Sequence, residues 1–142
     1  MKKFEWIEHP SDMGFRAYGE NLAEAFENAA LALSGILVDV GKVGQKGELE
    51  VELEAEDEKA LLYDWLEYFL YLFSAESLIA SRFEVSEIVE EEDHYKLKAK
   101  AWGEKLDPER HELRTEVKAI TYHMMEVKRE EDRCSVQVIV DI

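Results

Sequence analysis

Asp12, Asp141 and Ile142 are the residues whose type and placement point most directly to chemistry. Asp12 follows Pro10-Ser11 in a turn-rich hexapeptide, His9 to Gly14, at the end of the first expected strand. Asp141 closes an apolar stretch, and Ile142 is the last residue of the sequence, so its α-carboxylate is ionised at neutral pH. If the first and last strands meet, three hard oxygen groups converge. Such groups repel one another unless a cation joins them, and oxygen donors suit Ca²⁺ or Mg²⁺ better than Zn²⁺. The plainer reading of the same residues is that Asp12 accepts backbone N–H bonds within its own turn and Asp141 is an exposed strand end.

The remaining candidates carry less. His9 shares the early loop with Asp12. His123 follows Tyr122 in an apolar stretch and reads first as a structural histidine, second as a general base. His94 and His111 stand among charged residues and read as ordinary surface. Cys134, at an inward-facing strand position, reads as buried; a lone cysteine allows neither an internal disulfide nor a Cys-rich zinc site, which fits a reducing compartment. Gly41, Gly44 and Gly47 precede an alternating strand instead of a Lys-Ser or Lys-Thr helix start, so a P-loop is excluded.

Composition narrows the partners. The chain has 142 residues, enough for one domain, with 33 Asp and Glu against 17 Lys and Arg, a net charge of -16. Phosphate binding needs a cationic footprint, so direct RNA or DNA binding is disfavoured. The acidic runs 48–58, 90–93 and 130–132 read as solvated surface and edge protection. Glu5, Glu8 and Asp12 interrupt any apolar signal core, and no stretch approaches the roughly 18 apolar residues of a membrane span. The expectation is a soluble, cytoplasmic protein.

The elements that must position these residues follow from periodicity. Phe4–Glu8 and Phe15–Tyr18 read as strands. Asn21 resembles a helix N-cap, and Leu22, Ala25, Phe26, Ala29, Leu33, Ile36 and Leu37 recur at helical spacing to about Val38. Leu49, Val51 and Leu53 alternate with glutamates as a half-buried strand. Asp57 opens a second helix whose apolar residues, Leu61 to Phe73, require burial on more than one side. Phe83–Val89 and Tyr95–Trp102 form a hairpin, Leu106–Arg114 a loop, and Thr115–Val127 and Cys134–Ile142 two further strands, the last of them central. The sum over residues 1–142 is a single α+β domain, a mostly antiparallel sheet packed by two amphipathic helices.

Three segments together resemble the archease family. They are His9-Pro10-Ser11-Asp12-Met13-Gly14-Phe15-Arg16-Ala17-Tyr18-Gly19 with the helix after it, Lys118-Ala119-Ile120-Thr121-Tyr122-His123, and the ending Val138-Ile139-Val140-Asp141-Ile142. Each is short, but the three occur in order, and the resemblance runs end to end. Pro10-Ser11 stand where the family often has Thr-Ala, and Met124 where a small residue is common. The resemblance implies a non-catalytic accessory of RNA ligation, which promotes GTP-dependent guanylylation and multiple turnover of the RtcB-type tRNA-splicing ligase. It further implies a divalent metal ion, Ca²⁺ above all with Mg²⁺ or Mn²⁺ as alternatives, held by Asp12, Asp141 and Ile142. Apart from the metal, His9, Tyr122 and His123 are secondary functional candidates. Two other classes compete: a metal-dependent hydrolase using Asp12, Asp141 and His123, and a broader chaperone-like modulator of RNA-processing enzymes such as a tRNA methyltransferase.

Overall fold

Small residues decide where the first helix goes. Helix α1 (Leu22–Leu37) buries twelve of its sixteen residues, among them Ala25, Ala29, Ala30, Ala32 and Gly35. With so little side-chain bulk, backbone can approach it from several sides, and it lies against strands of two different sheets. Its start is fixed reciprocally: the Glu24 N–H donates to Asn21 Oδ1 (2.9 Å) and the Glu20 N–H to Glu24 Oε1 (3.2 Å).

The structure is a computed structural model that describes residues 2–9 and 12–142, apart from the side chains of Glu8 and His9. The first sheet contains β1 (Phe4–His9), β2 (Asp12–Gly19) and β8 (Cys134–Asp141) in that spatial order, with β6 (Ala119–Ile120) and β7 (Glu126–Arg129) both pairing the far edge of β8. The second sheet contains β3 (Gly47–Ala55), β5 (His94–Lys105) and β4 (Leu78–Glu91), with β5 central. All pairs are antiparallel. Helix α2 (Glu58–Glu76), capped by Asp57 Oδ1 accepting from the Ala60 N–H (2.8 Å), lies against α1 and strands of both sheets. The α+β class and two-helix architecture stand as expected.

Buried polar side chains register these layers. Asn28 of α1 donates to the Tyr18 carbonyl of β2 (2.6 Å), Ser34 to the Ala80 carbonyl of β4 (2.8 Å), and Trp65 of α2 donates its indole N–H to the Phe26 carbonyl (2.9 Å). Phe15, Ala17, Val136, Val138 and Val140 face the same core.

Four expectations need correction. The loop expected over His9–Gly14 is shorter, because β1 runs to His9 and β2 already begins at Asp12; Pro10 and Ser11 lie outside the described residues. Helix α2 is covered on more than one side, by α1 and both sheets, but its apolar band is not buried to the end: Leu72 and Phe73 are only half-buried and Tyr71 is 55% exposed. The continuous strand expected over Thr115–Val127 is reduced to β6 and β7. At its start the backbone serves the end of α1, the Arg114 N–H donating to the Leu37 carbonyl and the Thr115 N–H to the Ile36 carbonyl (2.9 Å each). His111, expected at the surface, is wholly buried.

Candidate metal centre

Alternation along β2 and β8 sorts their residues onto two faces. Phe15 opposite Val138 and Ala17 opposite Val136 point to the helices; Arg16 opposite Gln137, Gly14 opposite Ile139 and Asp12 opposite Asp141 share the other face. It is the second and last strands, not the first and last, that meet here, and their register sets Asp12 opposite Asp141. Asp12 is half-buried, Asp141 and Ile142 are exposed, and Ile142 follows directly. His9 is the β1 partner of Asp12 in register, and its side chain lies outside the described residues.

The end of β8 is held from both flanks. On one side β2 pairs along its whole length; on the other, the Lys118 N–H donates to the Asp141 carbonyl (2.8 Å), while Thr121 donates both its N–H (3.2 Å) and its hydroxyl (2.7 Å) to the Ile139 carbonyl. Ile139 is itself buried, its Cδ1 lying over Gly14. Two steps along the same face a polar chain crosses the sheet. Glu5 accepts from the Tyr18 hydroxyl (2.6 Å) and pairs with Arg16 (3.6 Å), Arg16 donates to Gln137 Oε1, and Gln137 Nε2 donates to the Met124 carbonyl (2.9 Å). Lys2 and Tyr18 beside Glu5 hold its carboxyl below the usual range.

Like charges directly opposite one another weaken a strand pair, and a hard divalent cation converts that repulsion into attraction. Among the described residues no group of three His, Cys, Asp or Glu side chains is arranged to hold a metal. The corner offers two carboxylate side chains, Asp12 and Asp141, with Ile142 next to them along the chain. An all-oxygen donor set of this kind fits Ca²⁺ or Mg²⁺.

Tyr122 and His123 do not lie on a strand. They occupy a turn, exposed, and the Tyr122 ring stacks on Tyr63 of α2 with centroids 4.6 Å apart and planes 7° apart. His123 is an exposed turn residue and not part of an apolar strand. Cys134 is buried as expected, and burial pushes its thiol up.

The chain matches the model of the Archease protein family (MTH1598/TM1083) over residues 4–142. It belongs to the archease family. Protein archease of Pyrococcus abyssi is 50% identical over 143 residues, covering 100% of both chains. That of Methanosarcina acetivorans is 46% identical over 141 residues, covering 99% and 97%. The solution structure of Methanobacterium thermoautotrophicum protein 1598 superposes with a TM-score of 0.86 at 42% identity, covering all of both chains. A crystal structure from Thermotoga maritima, described as an archease and possible chaperone, shares the fold at a TM-score of 0.53 and 20% identity, covering 96% and 94%.

A second polar cluster of this archease-family chain was not legible in sequence. Glu104, near the end of β5, accepts on Oε2 from the Gly44 N–H (2.6 Å) and His111 Nε2 (2.8 Å), and on Oε1 it meets Arg110 (2.5 Å) and Lys46 (3.5 Å). The Gly44 N–H, then Arg110 and His111, hold its carboxyl down to about 2. His111 Nδ1 accepts the Asp107 N–H (2.8 Å), which places the ring proton on Nε2. The cluster borders a cavity of about 510 Å³ lined by Leu37, Leu49, Phe69, Leu72 and Leu106 among others.

Proposed function

We propose that this chain activates an RtcB-type tRNA-splicing ligase in the cytoplasm, promoting its GTP-dependent guanylylation and multiple turnover without joining RNA itself. The observation that carries the reading is the register of Asp12 opposite Asp141 on the last strand of an archease-family chain, with Ile142 next in line. Asp12, Asp141 and the Ile142 carboxylate would hold a divalent cation, Ca²⁺ first. Such an ion is a hard Lewis acid that binds anionic oxygens such as those of a triphosphate.

An activator shifts its client only by binding one client state more tightly than another. The clamped end of β8 suits that task, because donors fixed by the sheet lose little freedom when they engage a client. The acidic surface favours a basic protein over RNA as the direct partner. The test is guanylylation and multi-turnover joining by the ligase with and without the chain: stimulation is expected, and an unchanged ligase would overturn the proposal. A broader chaperone-like role is the second reading, since the Thermotoga maritima protein is described as a possible chaperone. Comparable stimulation of a tRNA methyltransferase would favour it.

A further inference from the structure

The turn that follows β6 is built to hold two apolar side chains out in solvent. The Met125 N–H closes it on the Tyr122 carbonyl (3.1 Å), and Met124 takes the left-handed backbone conformation (φ 54°). That conformation disfavours any residue with a β-carbon, so neighbours must impose it. Gln137, buried in β8, bonds the Met124 carbonyl, and Tyr63 fixes the Tyr122 ring by flat stacking. Tyr122 and Met124 remain 54% and 53% exposed. With one face of the Tyr122 ring on Tyr63, its exposed part includes the opposite face.

The surroundings state what kind of partner fits. Asp64 directly follows Tyr63, the stacking partner of Tyr122, on α2 and is exposed, as are Asp57 and Glu56; burial first, then Asp64, push the Tyr122 phenol up. Among the described residues, Asp64 has no ion-pair partner. An aromatic face beside an uncompensated carboxylate attracts a cation, and arginine suits it best, because its planar, weakly hydrated guanidinium stacks on a ring while its edge pairs with an acid. The same carboxylates repel phosphates and a second copy of this acidic chain. Through β6, whose Ala119 stands opposite Asp141, the turn adjoins the metal corner.

We propose that this turn is the docking point for a basic protein partner, one of whose arginines lies on the open face of Tyr122, with Asp64 as its counter-charge and Met124 as apolar contact. The identity of the partner rests on the function proposed above; the recognition chemistry does not. Titration of the ¹⁵N-labelled chain with a pentapeptide carrying one arginine between glycines, and with its citrulline counterpart, tests the chemistry without any ligase. The arginine peptide should shift the amides of Tyr63, Asp64 and Tyr122 with at least fivefold higher affinity than the citrulline peptide. Asp64→Asn and Tyr122→Leu should each remove that preference, and Tyr122→Phe should keep it. Equal response to the two peptides, or shifts spread over the acidic surface without a maximum at Tyr122, would overturn the proposal. A chain that binds arginine here but leaves the ligase unstimulated would sink the proposed function alone; stimulation with an unresponsive Tyr122 would sink only the docking site.

Discussion

At Gly14 an added β-carbon would meet Ile139 Cδ1 at 2.5 Å and the Val138 carbonyl at 2.8 Å. The second of these is backbone and cannot swing aside, so any side chain here pushes β2 away from β8 two residues from Asp12. Gly14→Ala should therefore cost about 1–3 kcal/mol, as overpacking does, and weaken Ca²⁺ binding, read by urea denaturation and calorimetric titration. At Glu104 the sign of the pH effect is fixed by a folded carboxyl near 2 against an ordinary value of 4.5. Its contribution is complete above about pH 4.5 and is lost as pH falls toward 2. Glu104→Gln should flatten the stability profile in that window, as measured by acid unfolding. His111→Phe keeps the bulk but leaves the Asp107 N–H unsatisfied and removes a donor from Glu104, at about 1–3 kcal/mol for a buried unmet group. Sequence raised the acidic corner, because two aspartates at strand ends are visible in one dimension. It misjudged His111, because charged neighbours usually signal surface, whereas here Glu104 and the Asp107 N–H are the partners that let a histidine be buried.

Between the elements, α1 is the hinge of the architecture, bonded to β2 through Asn28 and to β4 through Ser34, with α2 tied to it by Trp65. Trp65 is wholly buried and packs edge-on against Phe69 and, at longer range, Phe83. Trp65→Ala should cost about 3–5 kcal/mol, the range for emptying a large aromatic site, seen as a fall in the denaturation midpoint. The helices and the hairpin were legible from period and caps. The Thr115–Val127 segment was not, because Val117, Ile120 and Met125 are buried from an irregular path whose neighbouring backbone caps α1. Apolar residues report burial, and period alone reports shape. The enclosure of α1 was not legible either, because alanine gives a weak hydrophobic signal, yet it is what allows a helix to be approached from two sides.

Across the whole molecule the excess acid is partly organised. On the second sheet Lys96, Lys98 and Lys100 of β5 stand in register between Glu54, Glu52 and Glu50 of β3 on one side and Val89, Glu87 and Glu84 of β4 on the other. Contacts such as Lys98–Glu87 (3.8 Å) and Lys96–Glu91 (3.6 Å) are exposed pairs of small individual value. At the hairpin tip His94 meets Glu54 (2.8 Å), Glu91 (3.1 Å) and Asp93 (2.9 Å), and Asp93 leads in raising its pKa. A net charge of -16 remains after these pairings. Under the proposed function this charge would steer association with a basic partner, so the association rate should fall several-fold between low and physiological salt, as stopped-flow mixing would record. The most direct test of the account is guanylylation of an RtcB-type ligase by GTP in the presence of the wild-type chain and of folded Asp12→Ala and Asp141→Ala variants. The expected result is stimulation by the wild type and a return to the ligase-alone level with either variant. Full stimulation by folded Asp12→Ala would contradict it.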